Sequence, residues 1–225
     1  MGNSRLVTSN QQGIHPDLEK VVARHCAHPF QQPFKPVSLG LFEELAAVVR
    51  ESGRPLVFDS GCGTGESTGE LCKRHPGALV IGFDKSLSRI RKAEEMPAPA
   101  GNLVLLRADA IDLWRLAQKA GWKLQHHYLL YPNPWPKKQH LRRRWHGHPV
   151  FPDLIALGGI LHLRSNWRIY LDEFAAAVQM AAGKQGCIRP LDGPGKLSAF
   201  EAKYSESSHS LFEFVVDLAG DDPIL

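Results

Sequence analysis

What this 225-residue chain lacks narrows it before any motif is read. No run approaches the ~18 consecutive apolar residues of a membrane span. The opening MGNSRLVTSNQQGIH has no apolar signal-peptide core, and Leu6 stands where a myristoylation pattern needs Ser or Thr, so a cytoplasmic location is expected. Cysteine is scarce: Cys26, Cys62, Cys72 and Cys187 form no C-x-x-C pair, which argues for reduced structural thiols and against a zinc site or a disulfide frame. No histidine spacing suggests a metal either.

Acid is missing where base is concentrated. From Leu113 to Pro152 there is no Asp or Glu, yet the segment holds Arg115, Lys119, Lys123, Lys137, Lys138, Arg142, Arg143 and Arg144. Outside it, the remaining 19 Lys and Arg face 23 Asp and Glu, so the basic character of the protein is local. Five histidines, Trp135 and Trp145 lie in the same window. Cations interleaved with aromatics suit a polyanion with stackable bases; the alternative is a solvated basic loop, since basic stretches are common.

Along the chain, residues 1–15 are polar and aperiodic and are expected to be mobile. Pro16 to His28 can form a short helix with Leu18, Val21 and Val22 on one side, and HPFQQPFKP then reads as an extended connector because proline removes backbone donors. Ser38 is the expected N-cap of a helix to Ser52, ended by Gly53. Apolar runs at 56–60, 79–84, 103–108, 128–131 and 160–163 then alternate with helical stretches at 66–74, 86–95, 110–120, 152–157 and 166–182. A polar stretch, 183–196, precedes a last strand at 211–218. This alternation predicts an α/β fold with a mostly parallel sheet covered on both faces. The expected division is an N-terminal extension, 1–37, and one domain, 38–225.

The first strand runs into Asp59-Ser60-Gly61-Cys62-Gly63-Thr64-Gly65-Glu66. Three alternating glycines let a backbone approach a ligand closely at the carboxyl edge of a sheet. A dinucleotide fingerprint needs glycine where Glu66 stands, and no phosphate-gripping G-K-[ST] follows. Glu66 would also repel a pyrophosphate from the helix start. Asp84 ends the next strand at the offset where a carboxylate takes ribose hydroxyls, and Asp109 ends the third. With Asp59, these acids suit a ligand that is cationic and carries a nucleoside, a description that S-adenosylmethionine fits. The alternative is that strand-end acids cap the helices that follow them.

The fourth strand ends in Tyr131-Pro132-Asn133-Pro134-Trp135-Pro136-Lys137-Lys138. Prolines pre-set this backbone, so an amide, an indole and cations are held with little entropy left to lose on binding. Trp135 either stacks on a base or supports the loop. Lys137, Lys138, Arg142, Arg143 and Arg144 are candidate phosphate contacts.

In order along the chain, S-N-Q-Q-G-I-H-P-D-L, R-H-C-A-H-P-F-Q-Q-P-F, D-S-G-C-G-T-G, Y-P-N-P-W-P-K-K-Q-H-L-R-R-R, L-H-L-R-S-N-W and S-A-F-E resemble the landmarks of the bacterial tRNA (guanine-N7)-methyltransferases, from about Ser9 to Leu218. The resemblance implies a Rossmann-like methyltransferase fold, S-adenosylmethionine as methyl donor and a guanine in the tRNA variable loop as acceptor. It also implies that Asp59, Asp84 and Asp109 bind the cofactor with Gly61, Gly63 and Gly65. Asn133 stands at the family's catalytic aspartate, Lys137 at a substrate lysine, and Asn166 at an aspartate that meets the target nucleotide. Ser198, Ala199, Phe200 and Glu201 stand at its Thr-Lys-Phe-Glu segment. Two carboxylates are therefore amides here, and Glu201 is the expected remaining acid for the guanine edge. A tRNA gripped by residues 137–144, no membrane, no metal and a monomeric state complete the expectation. The alternatives are a methyltransferase for another acceptor, such as an exocyclic amine, and a non-catalytic RNA-binding paralogue.

Overall fold

The structure is a computed structural model and describes residues 7–95, 101–191, 197, 198, 201, 203, 204, 207 and 209–219; Ala199 and Phe200 lie outside the described residues. One seven-stranded sheet has the order β3-β2-β1-β4-β5-β7-β6. Its strands are β1 (Leu56–Ser60), β2 (Leu79–Asp84), β3 (Leu103–Arg107), β4 (Leu124–Leu130), β5 (Ile160–Ser165), β6 (Cys187–Pro190) and β7 (Phe212–Asp217). The first five pair in parallel, β7 runs antiparallel to β5, and β6 runs antiparallel to β7. Chain order reverses on either side of β1, which opens a crevice beyond the carboxyl ends of β1 and β4.

The helices are α1 (Leu18–Ala27), α2 (Pro36–Ser52), α3 (Glu66–Arg74), α4 (Leu87–Glu94), α5 (Ala110–Lys119), α6 (Phe151–Ala156) and α7 (Arg168–Ala182). Leu18, Val21 and Val22 of α1 join the large core beneath the sheet with Leu45 of α2, Trp114 of α5 and Phe174 of α7. A smaller core on the other face contains Val57, Val80, Leu71 and Cys72. Among the described residues no helix is long and apolar enough to cross a membrane.

Differences from the sequence reading have local causes. Helix α2 begins at Pro36, whose missing N–H costs nothing at the first helical position, and Ser38 instead donates from Oγ to Asp112 at 2.7 Å. Strand β4 starts four residues before the expected Tyr128 because Gln125, His126 and His127 interrupt its apolar run. His127 is nonetheless buried: it shares a 2.7 Å hydrogen bond with Ser60 Oγ, which also accepts from Trp114 Nε1. Strand β6 lies inside the polar stretch 183–196, since an edge strand whose residues are all half-buried or exposed needs no apolar pattern.

Candidate active site

The glycine loop leaves β1 with Gly61 at φ 80°, Gly63 at 59° and Gly65 at 85°, a region closed to most side chains. The amides of Gly61 and Cys62 donate to the Phe83 carbonyl at 2.8 and 3.0 Å, so the loop is tied to the end of β2. A Cβ at Gly61 or Gly63 would meet nothing within 4 Å, whereas one at Gly65 would lie 2.7 Å from Ala93 Cβ. Gly61 and Gly63 therefore face open space. Gly65 has a separate reason, the close packing of α3 on α4.

Asp59 is buried, and Ser67 Oγ and Thr68 Oγ1 both donate to its Oδ2 at 2.6 and 2.7 Å. Burial pushes its carboxyl up to about 6 against those two hydrogen bonds, with a further upward push from Asp84. Asp84 accepts from Ser86 N at 2.8 Å on Oδ1, and from Gly63 N and Arg89 Nη1 at 3.3 and 3.4 Å on Oδ2. These last two hydrogen bonds are long and weak enough for better-placed donors to displace them. Asp109 is differently engaged. It caps α5 by accepting from Ile111 N at 3.1 Å and receives Lys35 Nζ at 2.5 Å, so the capping alternative describes this acid.

On the neighbouring strand end, Tyr131 and Trp135 hold φ at 54° and 44°, an uncommon conformation for bulky residues, on either side of Asn133. Asn133 is exposed, and its Oδ1 accepts from Trp135 N at 3.3 Å. The turn is braced from the N-terminal segment: Ser9 Oγ donates to the Pro136 carbonyl at 2.6 Å, and Lys138 N donates to Asn10 Oδ1 at 3.2 Å. A groove of about 720 Å³ runs between the two, lined by Asn10, His15, Lys137, Lys138 and Gln139 among others.

The basic segment divides. Lys138, Arg142 and Arg143 reach solvent with Lys137 beside them, and the Arg143 guanidinium lies 4.8 Å from the centre of the Trp135 ring. That stacking gives Trp135 a loop-supporting role whatever else it touches. Arg144 corrects the sequence reading: it is fully buried and ion-paired with Glu173, so it meets no phosphate. The triplet is a three-ten helix end, which turns the third arginine inward while its two predecessors face solvent.

Beyond β5, Asn166 Nδ2 lies 3.0 Å from His209 Nδ1, and the His209 ring stacks on Tyr204. Sequence reasoning assigned nothing to His209, because no spacing marks a histidine whose partner lies 43 residues away. Glu201 differs from expectation in its surroundings. It is buried, Oε1 accepts from Arg164 Nη1 at 2.8 Å and Oε2 from Leu197 N at 2.6 Å, so internal partners already hold both oxygens. Ser198 Oγ accepts from Glu201 N at 3.3 Å and steadies the same turn.

Residues 53–189 match a protein-family model described as "Putative methyltransferase". Among curated proteins, the chain is similar to a tRNA (guanine-N(7)-)-methyltransferase of Leifsonia xyli subsp. xyli, at 27% identity over 71% of this chain and 74% of that one. A protein of the same name from Acinetobacter baylyi is 29% identical over 74% of this chain and 71% of that one. Among solved structures, the 16S rRNA methyltransferase KamB superposes with a TM-score of 0.57 at 20% identity, over 83% of this chain and 94% of that one, a likeness of fold.

Proposed function

Because the chain belongs to this methyltransferase family, we propose that it transfers a methyl group from S-adenosylmethionine to N7 of a guanine in tRNA. One observation carries the reading: Asp84 at the end of β2, the glycine loop with Asp59 at the end of β1, and the rigid cationic turn around Asn133 at the end of β4 stand at the carboxyl ends of three adjacent strands.

The residues fit the donor. Gly61 and Gly63 leave open space for close approach, Asp84 offers a carboxylate for ribose hydroxyls, and buried Asp59 sets a negative field for a cationic ligand. When bound, S-adenosylmethionine supplies an electrophilic methyl carbon on a positively charged sulfur. Guanine N7 carries a lone pair and no proton, so the protein needs no general base. Its task is to bring the two atoms to about 3 to 3.5 Å in line. The turn holds Asn133 and Trp135 in a fixed backbone, while Lys137, Lys138, Arg142 and Arg143 hold phosphates on either side. Asn133 offers an amide where a carboxylate would better favour the developing positive charge, which makes electrostatic help weaker and catalysis more dependent on position.

The deciding experiment is methylation of total tRNA with labelled donor, followed by nucleoside identification. Labelled 7-methylguanosine is the expected product. An N-methylated purine would replace guanine N7 by another acceptor, and donor binding without any RNA product would overturn the tRNA reading. Binding to tRNA should weaken steeply with salt, and Lys138→Ala with Arg142→Ala should flatten the slope of log K against log salt by about 0.7 to 0.9 for each phosphate that is no longer neutralised. An unchanged slope would remove these residues from the RNA surface.

A further inference from the structure

Arg144 and Glu173 are both fully buried, and neither takes part in the chemistry above. A buried ion pair is a poor stabiliser, because desolvation offsets most of its Coulomb gain and an apolar pair of the same size does as well. What this pair touches is more telling. Arg144 pairs through Nη1 with Glu173 Oε2. Its Nε and Nη2 donate to the Trp135 carbonyl at 3.3 and 3.2 Å, and Nη2 also reaches the Lys137 carbonyl at 3.3 Å. The face of the guanidinium covers Trp167 at 4.9 Å.

Glu173 gathers the remaining strands of the network. Oε1 accepts from Gln11 Nε2 at 2.5 Å and from His15 N at 2.9 Å, while Oε2 also meets His146 Nε2 at 2.9 Å. Gln11 closes the loop by accepting from Arg144 Nη2 at 3.0 Å. Burial pushes the Glu173 carboxyl up, but His146 and Arg144 hold it down at about 2, so it stays ionised. His146 is pushed down by burial, and its Nδ1 is buried without a hydrogen-bond partner among the described residues, as suits a neutral ring that donates from Nε2.

A left-handed Trp135 persists only if its surroundings over-determine it. Those surroundings are the guanidinium on its carbonyl and the bridge from Ser9 to Pro136. We propose that Arg144, Glu173 and Gln11 are positioning residues which lock the Asn133–Lys138 turn in its acceptor-ready form, so that the segment around residues 9–15 completes the acceptor side of the site. The proposal rests on the reading of that turn as the element that presents the target base.

The test uses the full chain with Arg144→Lys, Glu173→Gln and Gln11→Ala, and three readouts. Arg144→Lys keeps the charge but loses the fork, and a turn displaced by about 1 Å should cost about 10²-fold in kcat on tRNA, with Glu173→Gln moving it in the same direction. The Kd of Arg144→Lys for S-adenosylmethionine by calorimetry should stay at the wild-type value. Gln11→Ala, outside the sheet, should also lower kcat, by about tenfold. Amide exchange across residues 131–138 should accelerate by about tenfold or more while β1 and β2 keep wild-type protection. Wild-type exchange in that turn, uniform acceleration across the sheet, or a parallel loss of donor affinity would each overturn the proposal. Should the wild-type chain methylate no tRNA, the functional reading fails on its own, and the exchange data still decide whether the network holds the turn.

Discussion

Affinity for S-adenosylmethionine should fall about tenfold per pH unit on acidification below about pH 6, and Asp59→Asn should keep it at the weakened level from roughly pH 5 to 8. A cationic ligand needs Asp59 ionised, yet burial pushes its carboxyl up from the ordinary 3.8 to about 6. Losing a charged hydrogen-bond acceptor costs about 1.5 to 3 kcal/mol, so the variant should bind roughly 10- to 100-fold more weakly at neutral pH. Since Asp84 adds to the upward push, Asp84→Ala should also move the midpoint to lower pH. Calorimetric titrations that show one affinity across this range would detach Asp59 from donor capture. Stability runs the other way. A carboxyl raised above its unfolded value contributes fully below about pH 4, and the contribution is lost as pH rises through about 6, a span of about 3 kcal/mol. The ionised state proposed to receive the donor is therefore the one that destabilises the empty protein.

The second large effect is on stability. Arg164→Met should lower unfolding free energy by about 3 to 5 kcal/mol, or roughly 6 to 20 °C in Tm for a chain of this size. Arg164 stands between two buried carboxylates, Glu201 at 2.8 Å and Glu213 at 2.9 Å, and Arg189 reaches the second, at 2.7 Å. Removing the shared cation leaves the buried Glu201 carboxylate without a countercharge, and takes the Arg164 donor from its Oε1 while Leu197 N still holds Oε2. Glu201→Gln should likewise register in Tm more than in kcat, because both of its oxygens face internal partners. A variant with wild-type Tm and a lost kcat would return Glu201 to the guanine edge.

Much of the donor side was legible because its signals are local. The Asp59 to Glu66 loop, the strand that feeds it and the helix that leaves it occupy one short stretch, and β1, β2 and α3 have the bounds that their apolar runs and flanking glycines predict. The acceptor side was legible in composition but not in its partners. Arg142, Arg143 and Arg144 look alike in sequence, and only the inward turn of a three-ten helix separates the buried third from its neighbours. Glu173 did carry a signal. It lies three residues after Tyr170 and one before Phe174, on the stripe of α7 that faces the core, and an acid there must find partners. Which partners those are depends on chain segments far apart, which no periodicity records.

That separation bears on how the protein comes into being. Gln11 leaves the ribosome 162 residues before Glu173, an interval of about 8 to 32 s at ordinary elongation rates. For most of it, once Gly65 has been added, the nascent chain contains the glycine loop, but the carboxylate that gathers the opening segment onto the proline-rich turn does not yet exist. The lock on the acceptor turn thus cannot form before α7 emerges, and a fragment that ends before it lacks the carboxylate on which the opening segment and the turn converge.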